Sequence, residues 1–294
     1  MFPAGVPGIR TRFHTLASGS RLRVAESGAE EAPAILLLHG WGASIYMWRD
    51  WFAPLAAAGF RAIAVDLPGH GRSDKPNDPA VYRLAAQLAA LRELVDAERL
   101  EPVHLVAQSM AGTIALELAL TGEPRLGRLV LVNPACFGRV KLQRLGRLLS
   151  PAPVGRVLHH LVSRWGVAHA HRMVYGDPSR ITPRDIDEYW APSQFPSYAR
   201  AMWRLVHQFP WARTPANLMA RRLGTLASPV LVILGGRDRL LRDTRRYVAA
   251  LVDDGAPLVV QVLEAGGHAV NEELPEAVIP LVLDFLSSGD SDGN

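Results

Sequence analysis

Residues 103–112 read Val103-His104-Leu105-Val106-Ala107-Gln108-Ser109-Met110-Ala111-Gly112. A short apolar run breaks on a serine set among small residues, and a helix-forming stretch follows at 110–121. A serine between a strand and a helix sits on a sharp turn that lifts its hydroxyl clear of the backbone, where a base can reach it. Nucleophilic use of such a serine needs a base and an orienting acid. Asp238 and then His268 supply both. Asp238 follows the apolar run that starts at Val230, and His268 follows the run that starts at Leu258. Loops after the strands of a parallel sheet converge at one edge, so three residues far apart in sequence can meet there.

Each of the three also has a plain structural reading. Ser109 could cap a helix. Asp238 could be a turn aspartate after Gly235-Gly236, and His268 a loop histidine beside Gly266-Gly267. Their conjunction, in the chain order serine, aspartate, histidine and each at a strand end, favours the triad.

Outward from the serine, short apolar runs alternate with helical stretches. Strands are expected at 12–16, 21–26, 34–38, 61–65, 103–106, 129–132, 230–234 and 258–263. Helices are expected at 45–58, 80–97, 110–121, 240–252 and 274–287, with Gly59 and Gly122 as stop signals. Fully apolar strands alternating with helices predict an α/β fold: a mostly parallel central sheet with helices on both faces. The alternation stops near Pro134 and resumes at Pro229. The interruption, 135–226, holds 8 of the 22 prolines and 10 of the 21 aromatic residues. It reads as a helical cap or lid with turns at Pro151-Ala-Pro153 and Thr182-Pro183. The expected domains are a core of 1–134 and 227–294 and a cap of 135–226. Residues 288–294 read as a frayed polar tail.

The 294 residues suffice for one large core with an accessory unit. One cysteine, Cys136, excludes an internal disulfide. No signal-peptide pattern and no run of about 18 apolar residues is present, so a cytoplasmic protein without a membrane span is expected. Net charge is +4, unevenly placed: residues 136–225 carry 14 basic against 4 acidic residues, a formal +10, and the remainder carries −6. A basic segment on an acidic body can attract an acidic partner. No metal or cofactor is expected. His169 and His171, two apart, do not face each other on a helix, and neither do His159 and His160. No phosphate loop occurs, Gly69-His70-Gly71 is too short for a dinucleotide fingerprint, and no nucleic-acid motif is present. His70 reads as structural.

Five motifs in order resemble the α/β-hydrolase superfamily. His39-Gly40-Trp41-Gly42 resembles its oxyanion loop, and Asp66-Leu-Pro-Gly-His-Gly-Arg-Ser73 its DxPGxGxS loop. The elbow is at Ser109, Gly235-Gly236-Arg237-Asp238 resembles the acid motif, and Gly267-His268 with Glu272-Glu273-Leu-Pro-Glu276 resembles the histidine motif. The resemblance implies an oxyanion hole from the backbone N–H groups of Trp41 and Met110. Some family members take their acid from the strand before the cap, where this chain has neutral Asn133; that strengthens Asp238, with Asp243 a nearby backup. The elbow departs from G-x-S-x-G: Ala107 and Ala111 stand at the glycine positions and Gly112 comes one place late. The cap's aromatic residues, Trp165, Trp190 and Trp203 among them, are expected to line an apolar pocket. Carboxylic-ester hydrolysis on a small apolar acyl substrate is the first expectation. Thioester, lactone, amide or carbon–carbon cleavage by the same triad is the alternative, and a non-catalytic ligand-binding scaffold a further one. The cap charge and the His-Gly-Trp-Gly loop are also similar to esterases that act on pimeloyl methyl ester bound to acyl carrier protein, which implies an acidic carrier as partner.

Overall fold

Eight strands form one sheet in the order β1-β2-β4-β3-β5-β6-β7-β8. The computed structural model describes residues 1–139, 162–227, 230–241 and 243–288. The strands are β1 (Arg10–Thr15), β2 (Arg21–Ser27), β3 (Ala34–Leu38), β4 (Arg61–Val65), β5 (Val103–Gln108), β6 (Leu126–Val132), β7 (Val230–Gly235) and β8 (Leu258–Leu263). β1 and β2 pair antiparallel, as do β2 and β4; every other pairing is parallel.

The alternation of side chains along a strand divides the core in two. Leu36, Leu38, Leu105, Leu131 and Val232 face one side, with α2 (Leu84–Ala97), α3 (Met110–Leu120) and α8 (Thr244–Asp253). Ile35, Leu37, Val106, Val130 and Ile233 face the other, with α1 (Phe52–Ala57) and α10 (Pro275–Ser287). Between β6 and β7 come the inserted helices α4 (Arg164–Val174), α5 (Pro183–Ser193), α6 (Pro196–Gln208) and α7 (Ala216–Leu223). Thr182 and Pro183 open α5 through a capping box with Asp185. The Pro151-Ala-Pro153 turn, His159-His160 and residues 289–294 lie outside the described residues. No helix among the described residues is long and apolar enough to cross a membrane.

Four helical stretches differ from expectation: 80–97 splits into a 3-10 turn, Pro79–Tyr82, and α2, and the other three differ for tertiary reasons. The 45–58 stretch splits into a 3-10 turn, Ile45–Trp48, and α1. There Trp48 and Trp51 pack edge to face at 4.9 Å, and the Trp51 indole donates to Asn271 O at 2.9 Å. The 240–252 stretch starts only at Thr244, because the Asp238 side chain takes the Leu240 and Leu241 N–H groups into a turn. The last stretch has a separate turn before it, α9 (Val270–Glu273), and Leu274 leaves helical geometry ahead of Pro275.

Candidate active site

β3 and β5 are neighbours, yet the chain leaves β3 toward β4 on its other side. Loops on either side of such a switch point part and open a crevice at the carboxyl ends of the strands. The loops after β3, β5, β6, β7 and β8 meet there.

Ser109 lies between β5 and α3 at φ 51° and ψ −113°, a conformation that costs a non-glycine residue on the order of 1–3 kcal/mol. The backbone holds it from both sides. Ser109 N donates to Val132 O at 3.0 Å, and Ser109 O accepts from Gly112 N at 3.0 Å and Ala135 N at 2.9 Å. Ala107 and Ala111 are fully buried, so the turn tolerates both methyl groups. The tight contact is at Gly112, where a Cβ would come within 2.8 Å of Pro134 Cβ.

The Ser109 hydroxyl caps nothing in α3. Its Oγ lies 2.9 Å from His268 Nε2, and His268 Nδ1 lies 2.7 Å from Asp238 Oδ2. The carboxylate requires the proton on Nδ1, which leaves Nε2 free to accept from the serine. Asp238 Oδ1 accepts from the N–H groups of Leu240 at 2.7 Å and Leu241 at 3.0 Å. Burial pushes the Asp238 carboxyl up, but His268 and those two N–H groups outweigh it and hold it below the usual aspartate value. Asp243 faces Arg139 at 3.8 Å instead of the imidazole.

The histidine loop is fixed by groups whose part was not legible in the sequence. Asn133, in left-handed backbone at φ 41°, donates through Nδ2 to Gly267 O at 3.0 Å and His268 O at 2.9 Å. Its Oδ1 accepts from Gly235 N at 3.0 Å. Gln108 Nε2 also donates to His268 O, at 3.1 Å. Asparagine tolerates left-handed backbone and carries both a donor and an acceptor, so its place at the end of β6 was the available signal. Glu273 ties the same loop to the insertion. Its Oε2 accepts from Gly267 N at 2.7 Å and Gly176 N at 2.9 Å, and its Oε1 from Asp177 N at 2.6 Å.

The His39-Gly40-Trp41-Gly42 loop lies against the elbow: a Cβ on Gly40 would sit 3.1 Å from Ser109 Cβ. The N–H groups of Trp41 and Met110 have no hydrogen-bond partner among the described residues. The Asp66 loop is a scaffold. Asp66 Oδ1 accepts from Ile45 N at 2.7 Å and Oδ2 from Arg72 N at 2.8 Å. His70 is buried with its ring 4.9 Å from that of His39, and burial holds both imidazoles below their ordinary pKa, hence neutral.

The three tryptophans sit differently on the inserted helices. Trp165, in the first turn of α4, is 72% exposed and stacks on His169, so it is a surface residue and not a pocket wall. Trp203 stacks on His207 at 4.1 Å, one turn along α6. Trp190 is half-buried on α5, and its indole nitrogen has no hydrogen-bond partner among the described residues.

A family model described as the alpha/beta hydrolase fold matches residues 33–275. The chain belongs to the α/β-hydrolase family. Among relatives in this family, a 2-hydroxy-6-oxo-6-phenylhexa-2,4-dienoate hydrolase of Burkholderia cepacia is 28% identical over 92% of this chain and 93% of its own. A haloalkane dehalogenase of Mycobacterium marinum is 32% identical over 75% of this chain and 74% of its own. The solved structure of an epoxide hydrolase from an endophytic Streptomyces shares the fold with a TM-score of 0.75, at 22% identity, covering 97% of each chain. The α/β-hydrolase fold, with its parallel sheet and flanking helices, is therefore the architecture, and a hydrolase is the class of enzyme that the relatives support.

Proposed function

We propose that this α/β-hydrolase cleaves carboxylic esters of apolar acyl groups through an acyl-enzyme on Ser109. The observation that carries the reading is the hydrogen-bonded chain from Ser109 Oγ through His268 to Asp238 Oδ2, at 2.9 and 2.7 Å. In the first half-reaction His268 Nε2 takes the serine proton as Oγ attacks the carbonyl carbon, and then gives it to the leaving alkoxide. Asp238 holds the imidazole tautomer and stabilises the imidazolium. The N–H groups of Trp41 and Met110 receive the tetrahedral oxyanion, at roughly 3 kcal/mol per donor. Water activated by His268 then releases the acid. The inserted helices form the cap over this site, and Ser109 is 9% exposed beneath it.

The nucleophile's chemistry weighs among the activities of the relatives. Displacing a halide or opening an epoxide with Ser109 would leave an alkyl ether. An ether has no carbonyl for water to attack, so turnover would stop there. An acyl-serine does have that carbonyl. This favours ester cleavage, and it is equally consistent with carbon–carbon cleavage beside a ketone. The second reading draws its support from the dienoate hydrolase, whose similarity spans 92% of this chain.

The test is hydrolysis of p-nitrophenyl esters from acetyl to palmitoyl by wild type and Ser109→Ala, alongside cleavage of a 2-hydroxy-6-oxo-dienoate. Ester turnover that vanishes in the variant is the expected result. Turnover confined to the dienoate would replace the ester reading with the second one.

A further inference from the structure

We propose that Tyr198, on inserted helix α6, is a positioning residue for the oxyanion hole: it and the Trp41 indole join the cap to the loop that carries the Trp41 N–H. The inference rests on the acyl-transfer reading above.

The loop has a core-held half and a cap-held half. His39 Nε2 accepts from Leu67 N at 3.1 Å, so the ring proton is on Nδ1. His39 Nδ1–H therefore donates to Gly40 O at 2.8 Å, and Ala43 N donates to the same carbonyl at 3.3 Å. A trans peptide is planar with its N–H opposed to its C=O. Pinning the Gly40 carbonyl thus aims the Trp41 N–H the other way. The second half has no such support from the core. Gly42 has φ 78°, and among the described residues its carbonyl accepts one hydrogen bond, from Tyr198 Oη at 2.8 Å. The Trp41 indole donates to Met202 O at 3.3 Å. Tyr198 and Met202 are four apart, on one face of α6. The helix therefore grips the loop at the Trp41 side chain and at the Gly42–Ala43 peptide, whose N–H in turn holds the Gly40 carbonyl.

α6 does not depend on that hydroxyl for its own seat. Tyr198, Ala201, Met202 and Leu205 are buried in the core, and Arg204 donates to Pro76 O at 2.9 Å. Removing the hydroxyl leaves the ring packed and frees the Gly42–Ala43 peptide to turn; its Ala43 N–H then loosens on Gly40 O, and the Gly40–Trp41 peptide that carries the oxyanion donor loses part of its aim while the triad is untouched.

The test compares wild type, Ser109→Ala and Tyr198→Phe. Reaction of Ser109 with a fluorophosphonate is measured first, then kcat and KM on a p-nitrophenyl ester and on its thionoester. Sulfur accepts hydrogen bonds weakly, so a damaged oxyanion hole slows the oxygen ester more than the thionoester. Tyr198→Phe is expected to lower kcat on the ester about tenfold with KM nearly unchanged. It should also narrow the ester-to-thionoester rate ratio and leave the melting temperature and pH profile alone. An unchanged ratio, with full activity or with equal losses on both substrates, overturns the inference while the serine reading stands. Wild type that neither labels at Ser109 nor cleaves the ester overturns the serine reading and this inference together.

Discussion

Asp238 divides its two carboxylate oxygens between two tasks, one facing His268 and one holding the turn at Leu240 and Leu241. An asparagine keeps an oxygen acceptor for the turn but presents an amide, which cannot balance an imidazolium. Asp238→Asn should therefore fold and lose roughly 10³–10⁴-fold in kcat on a p-nitrophenyl ester; a loss below tenfold would remove Asp238 as the orienting acid. The pH behaviour follows from its lowered pKa. A carboxyl whose folded value lies below its unfolded one stabilises the fold above the unfolded value, about 4. That contribution is lost as pH falls through the folded value. Urea unfolding should show wild type losing stability relative to Asp238→Asn as pH drops below about 4.

At the level of elements, the histidine loop is a junction at which three backbones touch. A Cβ on Gly235 would sit 2.0 Å from Gly267 O, one on Gly267 would sit 2.3 Å from Gly176 N, and one on Gly176 would sit 2.3 Å from Ala265 O. The neighbouring atoms are main chain and cannot turn aside. Gly267→Ala should lower the melting temperature by several degrees, roughly 1–3 kcal/mol, and should depress kcat by displacing His268. A variant with wild-type melting and turnover would show that this junction yields freely. Glu273 closes the same junction with charge-assisted hydrogen bonds from Gly176, Asp177 and Gly267. Glu273→Gln turns one acceptor into a donor facing N–H groups, and should cost about 1–3 kcal/mol in urea unfolding. Equal midpoints for the two proteins would deny the carboxylate that role.

Across the whole molecule, the charge imbalance is partly used inside the chain. Arg180 donates to Glu273 O at 2.8 Å and to Glu276 at 2.7 Å, and Arg222 forks onto Glu117 at 2.9 and 2.7 Å. Basic insertion and acidic core thus complement each other across their own contact. Deeper in that contact, Arg49 pairs with both Glu272 and, at 3.1 Å, Asp185. Tyr46 donates to Asp185 and Tyr189 to Glu272, each at 2.7 Å. One guanidinium serves two carboxylates, and His171 beside them is pushed down by burial to about 4 and stays neutral. Burial pushes Glu272 up to about 7. For Asp185 burial also acts upward, but Tyr46, Thr182 and Arg49 hold it low. A carboxyl raised on folding adds stability below its unfolded value, and that stability is lost as pH rises through the folded one. Stability should therefore fall between about pH 5 and 8, on the order of 1–3 kcal/mol, and Glu272→Gln should flatten the slope. A variant with the wild-type slope would place the titrating group elsewhere.

Reading the residues alone was enough for the alternation of strands and helices, the place between β6 and β7 where it is interrupted, and Ser109, Asp238 and His268 as residues that meet at strand ends, because strand period, turn residues and chain order are local properties. Asp238 and His268 were legible since each follows an apolar strand and a Gly-Gly pair. The place of Trp165 was not legible, because an aromatic residue on an amphipathic helix reads alike whether it faces a pocket or solvent. Nor were the clamp of Asn133 on the histidine loop, the tie of Glu273 from that loop to Gly176, or the grip of Tyr198 on the His39–Gly42 loop. These depend on backbones more than ninety residues apart meeting within hydrogen-bond distance. Local pattern determined which chemistry the chain can carry; tertiary packing decided how rigidly its parts are aimed, because a hydrogen bond's direction is set by both partners and the sequence places only one at a time.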